Sequence, residues 1–72
     1  MSEALEQGVV SYVNEEKGFG FITVEGREKD LFFHSKDLKN VDFESIKKGS
    51  KVSFEFVEES PKGFSAKGVY LD

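Results

Sequence analysis

A small all-β domain, five antiparallel strands closed into a Greek-key barrel, is what this sequence predicts, and three observations carry the prediction. Apolar residues alternate with polar residues or glycine in five short runs, the period-2 signal of strands that bury one face. Segments rich in glycine, proline and charge separate most of those runs where turns belong. The connection after the third run is long, and closing the sheet on itself removes the edges that an open sheet would expose. The 72 residues make one domain, 1–72 with the barrel over about 7–71. A chain this short buries only roughly 60% of its unfolded surface and has no material for a second core.

The first strand is expected over Gly8 to Asn14 and the second over Gly18 to Val24. Between the second and the third, Asp30 to His34, lies "EGREK", Glu25 to Lys29, whose glycine and charges suit a hairpin turn. From Ser35 to Gly49 the apolar residues Leu38, Val41, Phe43 and Ile46 are spaced too loosely for a strand. That segment has room for one helical turn, around Ser35 to Leu38, and then a long connection. Lys51 to Glu58 forms the fourth strand and Ser65 to Leu71 the fifth, joined by a turn at "ESPKG", Glu59 to Gly63.

Side chains alternate faces along a strand, so Phe19 and Phe21 share one face with Lys17, while Gly18, Gly20 and Ile22 take the other. Val24 follows Ile22, which makes the glycine face the inner one and turns the two rings outward. Glycines on that inner side suit the sharp bend of a small barrel wall. In the third strand Leu31 and Phe33 oppose Phe32 and His34. A buried histidine needs satisfied partners, which puts Leu31 and Phe33 inside and Phe32 and His34 outside. In the fourth strand Val52, Phe54 and Phe56 alternate with polar residues, and both of its rings are expected in the core. A cluster formed by Phe19, Phe21, Phe32 and His34 is a patch of the kind that marks a binding site.

Flat rings suit nucleobases, because every base has a π-face and stacking contributes ~1 to 3 kcal/mol per base with little sequence preference. Bases in a duplex are already stacked, so such a surface selects single strands. Phosphates call for cations at the edge, and Lys17, Lys36, Lys39, Lys62 and Lys67 are available. The net charge of -4 opposes a polyanionic partner, but binding responds to local potential over a Debye length of about 8 Å. Many acids, among them Glu3, Glu6, Glu58, Glu59 and Asp72, fall at the termini or near the last turn. The expectation is binding led by stacking, with a shallow salt dependence.

Other classes find less support. The absence of cysteine removes disulfides and thiolate metal sites and suits a reducing compartment. A single histidine with scattered carboxylates suggests neither a metal site nor an acid/base pair, and Asp30 reads as a surface neighbour of His34, so no enzyme and no cofactor are expected. No apolar run reaches the ~20 residues of a membrane span, and "MSEALEQG" is acidic where a signal peptide would be basic. A cytoplasmic protein with no small-molecule substrate is the expectation.

The sequence resembles the bacterial cold-shock proteins, single cold-shock domains with an oligonucleotide-binding barrel (OB-fold), from Gly8 to about Leu71. "KGFGFI", Lys17 to Ile22, looks like the family's first ribonucleoprotein motif and "LFFH", Leu31 to His34, like the second. "DFESIKKGSKVSFEF", Asp42 to Phe56, is similar to the family's segment from the long loop into the fourth strand. The resemblance implies Lys17, Phe19, Phe21, Phe32 and His34 as the central nucleic-acid contacts, with Phe43 as a further stacking ring and Lys62 and Phe64 approaching from the last loop. From the residues alone, Phe43 suits a packing anchor equally well, and Phe64 suits packing or binding. Where most relatives carry lysine, tryptophan and phenylalanine, this chain has Ser11, Tyr12 and Val13, and Ser35 replaces a further ring. Tyr12 still offers a ring and a hydroxyl, and stands as a contact.

Together these expectations describe a module that binds single-stranded RNA or DNA and acts as an RNA chaperone, to which the resemblance adds cold-shock or transcription and translation control. It is expected as a monomer, with a strand-exchanged dimer as the alternative state. A protein-interaction barrel, its rings docking a partner surface, is the competing reading, favoured by Asp37, Asp42 and Glu44 near the long loop.

Overall fold

The computed structural model describes residues 5–72. Five strands, β1 (Glu6–Asn14), β2 (Phe19–Thr23), β3 (Leu31–His34), β4 (Lys51–Ser60) and β5 (Gly63–Leu71), close in the order β1-β2-β3-β5-β4. The first three form the expected antiparallel meander. The chain then crosses so that β4 pairs with β1, and β5 fills the place between β4 and β3. All but one of the pairings are antiparallel; β3 and β5 run parallel and meet at a single pair, Phe32 with Ser65. The long connection holds the expected 3-10 turn at Ser35–Asp37 and a second, unforeseen one at Phe43–Ser45.

The core follows the parity argument across the meander. Val10, Ile22, Val24, Leu31 and Phe33 are buried, together with Ile46, Val52, Phe54, Ala66 and Val69. Gly20 is part of the inner wall: a Cβ there would collide with the Tyr12 carbonyl and come within 2.8 Å of the Phe33 ring. Gly18 does not join it. That residue sits in the turn between β1 and β2 with φ 72°, a left-handed conformation that glycine adopts without strain. Lys17 precedes it in the same turn, where its N–H donates to Asn14 Oδ1 at 3.0 Å, so strand parity does not fix its side chain.

The expectation for β4 fails at one ring. Phe54 is fully buried, but Phe56 is 55% exposed. The cause lies opposite, in β5, where Gly68 adopts φ 66° and reverses the alternation of the strand. Val69 and Ala66, three residues apart, both face the core. Their partners across the ladder are Phe54 and Val57, so the inner side of β4 changes between those two and leaves Phe56 outside. The last turn is also tighter than expected: Glu59 pairs with Phe64 and Ser60 with Gly63, leaving Pro61 and Lys62 as the loop.

Candidate nucleic-acid interface

Register brings the outer rings into two rungs. Tyr12 pairs with Phe21 and Phe21 with Phe32; one step along, Asn14 pairs with Phe19 and Phe19 with His34. A bulge at Ser11 makes this alignment, because the extra residue lets Val10 point into the core while Tyr12 falls beside Phe21. The same shift seats Val13 against the core. Val13, which stands where most relatives carry phenylalanine, therefore belongs to the packing and not to the outer surface.

The rings touch one another. Phe19 stacks on Phe32 with centroids 5.5 Å apart, and Phe21 meets the edges of Phe19 and Phe32, each at 6.0 Å. Tyr12 extends the group, 6.1 Å from Phe19 and 5.9 Å from Phe21. Mutual contact leaves Phe19, Phe21 and Phe32 half-buried, with Tyr12 more open. Such contacts immobilise the rings before any ligand arrives, which lowers the ordering cost of stacking a base on them. A groove beyond Phe21 and Phe32 is lined by Ser60, Lys62, Gly63, Phe64 and Ser65. Phe64 packs against the core on one side and walls this groove on the other. Phe43 lies elsewhere: it packs against the core, 6.1 Å from Phe33, as the anchor of the long loop.

His34 ends its rung and caps the first 3-10 turn. Its Nδ1 accepts from the Lys36 N–H at 3.2 Å and lies 3.3 Å from Ser35 Oγ, while its own N–H donates to Asp37 Oδ2 at 2.9 Å. Asp30 does not neighbour His34. It closes the opposite end of the platform, where its carboxylate accepts from Thr23 Oγ1 at 2.9 Å and Ser11 Oγ at 3.1 Å. Strand parity carried a signal for this: Asp30 lies two residues before Phe32 and so shares its face.

The cations divide into two groups. Among the described residues Lys17, Lys36, Lys39 and Lys62 form no ion pair. Lys67, expected to be free for phosphate, is instead bound to Asp37 at 3.2 Å and Glu58 at 3.5 Å. The hydrogen bond from its ammonium to Asp37 raises the Lys67 pKa above the usual lysine value, with burial opposing and the charges of Asp37 and Glu58 adding to the rise. Glu58 and Glu59 lie within β4, Glu6 in β1 pairs with Arg27, and Glu3 lies outside the described residues. Among the described residues no group of His, Asp or Glu is placed to hold a metal, and no helix is long and apolar enough to cross a membrane.

A closed five-stranded barrel whose meander carries a preformed aromatic platform outward defines a class, the small oligonucleotide-binding barrels. The particular family follows from comparison with known proteins. Residues 6–71 match the family model described as "'Cold-shock' DNA-binding domain", and the chain belongs to that family. It is 46% identical to Cold shock protein CapA of Pseudomonas fragi over 85% of this chain and 94% of the relative. It is 48% identical to the Major cold shock protein CspA of Bacillus cereus over 86% of this chain and 90% of the relative. Among solved structures it resembles a chain of drosophila Unr, with a TM-score of 0.74 at 26% identity, covering 99% of this chain and 28% of that one.

Proposed function

We propose that this barrel binds single-stranded RNA or DNA by stacking unpaired bases on Tyr12, Phe19, Phe21 and Phe32. The observation that carries the proposal is the contiguity of those four rings on one outer face, in register across three strands. His34 completes the second rung, Lys17 and Lys62 neutralise phosphates at two margins, and Phe64 continues the surface into the adjoining groove. Phe43 supports the loop by packing against the core. Three or four stacked bases at ~1 to 3 kcal/mol each total roughly 3 to 12 kcal/mol, a span that includes the about 8 kcal/mol of a micromolar complex.

A protein that binds only the open strand shifts an RNA hairpin toward the open form by mass action. At a free concentration of 100 Kd the shift is about 2.7 kcal/mol per site, enough to melt a marginal stem without a nucleotide cofactor. This is an RNA chaperone acting in the cytoplasm as a monomer, and membership of the cold-shock family supports a role in cold adaptation. The chemistry is binding and release, with no bond made or broken. The docking-barrel alternative loses one of its acids, since Asp37 is occupied by Lys67 and the His34 N–H.

The proposal is tested by titrating oligothymidine against tyrosine fluorescence in the wild type, Phe19→Ala and Phe32→Ala. Saturable wild-type binding that weakens roughly 5- to 150-fold in each variant is expected from the stacking energies. Absence of wild-type binding at tens of micromolar, or unchanged variants, overturns it.

A further inference from the structure

We infer that Asp37 and Lys67 are positioning residues for the platform, holding His34 as the tautomer that presents an Nε2–H donor to an acceptor oxygen of the bound strand. The inference rests on the proposed nucleic-acid reading for its ligand, but not for its geometry. A backbone N–H can only donate, so the 3.2 Å contact from Lys36 makes His34 Nδ1 an acceptor. A neutral imidazole with an accepting Nδ1 carries its proton on Nε2. Among the described residues no hydrogen bond reaches Nε2, which is left at the end of the Phe19 rung.

What keeps Lys36 in place is the turn, which the Ser35 N–H anchors to the Gly18 carbonyl at 2.9 Å and the Lys39 N–H to the Val69 carbonyl at 2.8 Å, and which Asp37 closes from within. One carboxylate oxygen takes the His34 N–H at 2.9 Å and the other takes Lys67 Nζ at 3.2 Å, tying the end of β3 to β5. The Asp37 side chain is only 11% exposed, so these bonds face little competition from water. The strands they join share only one ladder pair, and the clamp stands beyond it, at the turn that follows β3. Without the clamp the short turn frays, Lys36 withdraws and Nδ1 is released. The His34 proton then exchanges between the two nitrogens, and Nε2 is a donor only part of the time.

The test begins without nucleic acid. Nitrogen-15 NMR of the His34 ring in the free protein, at a pH where the ring is neutral, is expected to show one tautomer with the proton on Nε2. Lys67→Met and Asp37→Ala are expected to show averaging between tautomers, and Lys67→Arg to restore the wild-type signal. A wild-type ring already averaged between tautomers, or variants with an unchanged one, overturns the inference even when oligonucleotides bind. Lys67→Met leaves the Asp37 carboxylate unpaired, so the Lys67→Met/Asp37→Ala double variant, its fold checked by circular dichroism, supplies the same comparison without that charge.

The second stage uses oligothymidine. His34→Phe keeps a ring and removes the donor, and is expected to weaken binding roughly 2- to 13-fold, as for one lost hydrogen bond. Lys67→Met is expected to weaken it by less, and Lys67→Arg to leave it unchanged. A phosphorus-31 line that shifts with wild type and not with His34→Phe identifies a phosphate oxygen as the acceptor; a thymine carbonyl carbon that behaves so identifies the base. Movement of neither overturns the ligand half of the inference. Absence of any binding overturns the proposed function and that half together, and the tautomer measurement alone then decides whether the clamp exists.

Discussion

Phe54 and Phe56 are the same residue two positions apart in one strand, and simple alternation would bury both. Their energies differ, because Gly68 reverses the inner side of the β4–β5 ladder between them. Phe54 is 0% exposed, and Phe54→Ala loses the full transfer energy and leaves a cavity in the barrel, a cost of roughly 3–5 kcal/mol. Phe56 is 55% exposed. Full burial of a phenylalanine is worth ~1.5–3 kcal/mol, so the covered part of Phe56 contributes about 0.7–1.3 kcal/mol, and water fills any space its removal leaves. Urea unfolding followed by circular dichroism separates the two. With a slope of about 1 kcal/mol/M for so small a domain, Phe56→Ala lowers the midpoint by about 1 M, whereas Phe54→Ala lowers it by about 3 M or leaves no folded baseline. No ring pair joins Phe56 to the platform, so Phe56→Ala also leaves oligothymidine affinity unchanged. Equal losses of stability from the two variants would rule out the reversal.

Gly20→Ala drives a methyl group into the Tyr12 carbonyl and the Phe33 ring, and its thermal midpoint is expected to fall by roughly 4–20 °C, following an overpacking cost of ~1–3 kcal/mol. Salt dependence gives a separate check: the few unpaired lysines near the rings limit the phosphates neutralised, so log affinity against log salt has a slope no steeper than about −3 on single strands. Alkaline stability follows from two raised pKa values, Lys67 through its hydrogen bond to Asp37 and Tyr70 through its hydrogen bond to Glu55 at 2.7 Å. A folded-state value above the unfolded one gives stability that is complete below the unfolded pKa, 10.5 for lysine and 10.0 for tyrosine, and lost as pH climbs past the folded value. Urea midpoints measured from about pH 9 to pH 12 should therefore decline, and Lys67→Met with Tyr70→Phe should flatten the decline.

Much of the platform was legible in the sequence because parity is a local property. Ile22 and Leu31 fix the inner face of their strands, and Phe21 and Phe32 are turned outward as a consequence. Where parity is broken by the backbone, the sequence was mute. The bulge at Ser11 and the left-handed Gly68 each shift a strand by one face, and the second of them put Phe56 outside against expectation. Pairings between distant segments were equally hidden: nothing in the composition tied Lys67 to Asp37 or Asp30 to Ser11, since those contacts exist only once the strands are registered. Phe43 is a third kind of case, a ring whose spacing suits packing or binding and whose contact with Phe33 arises only from the second 3-10 turn, which no strand pattern foretold.

The proposed function stands or falls on whether unpaired bases stack on the outer rings of β1, β2 and β3. Aromatic carbon-13 NMR during titration with oligothymidine addresses this ring by ring, since a stacked base shifts the resonances of the ring beneath it. Saturable shifts are expected at Tyr12, Phe19, Phe21, Phe32 and His34, with Phe33, Phe54 and Phe56 unmoved. Saturable binding that leaves the Phe19 and Phe32 resonances in place, or that shifts Phe56 first, would be incompatible with stacking on this platform.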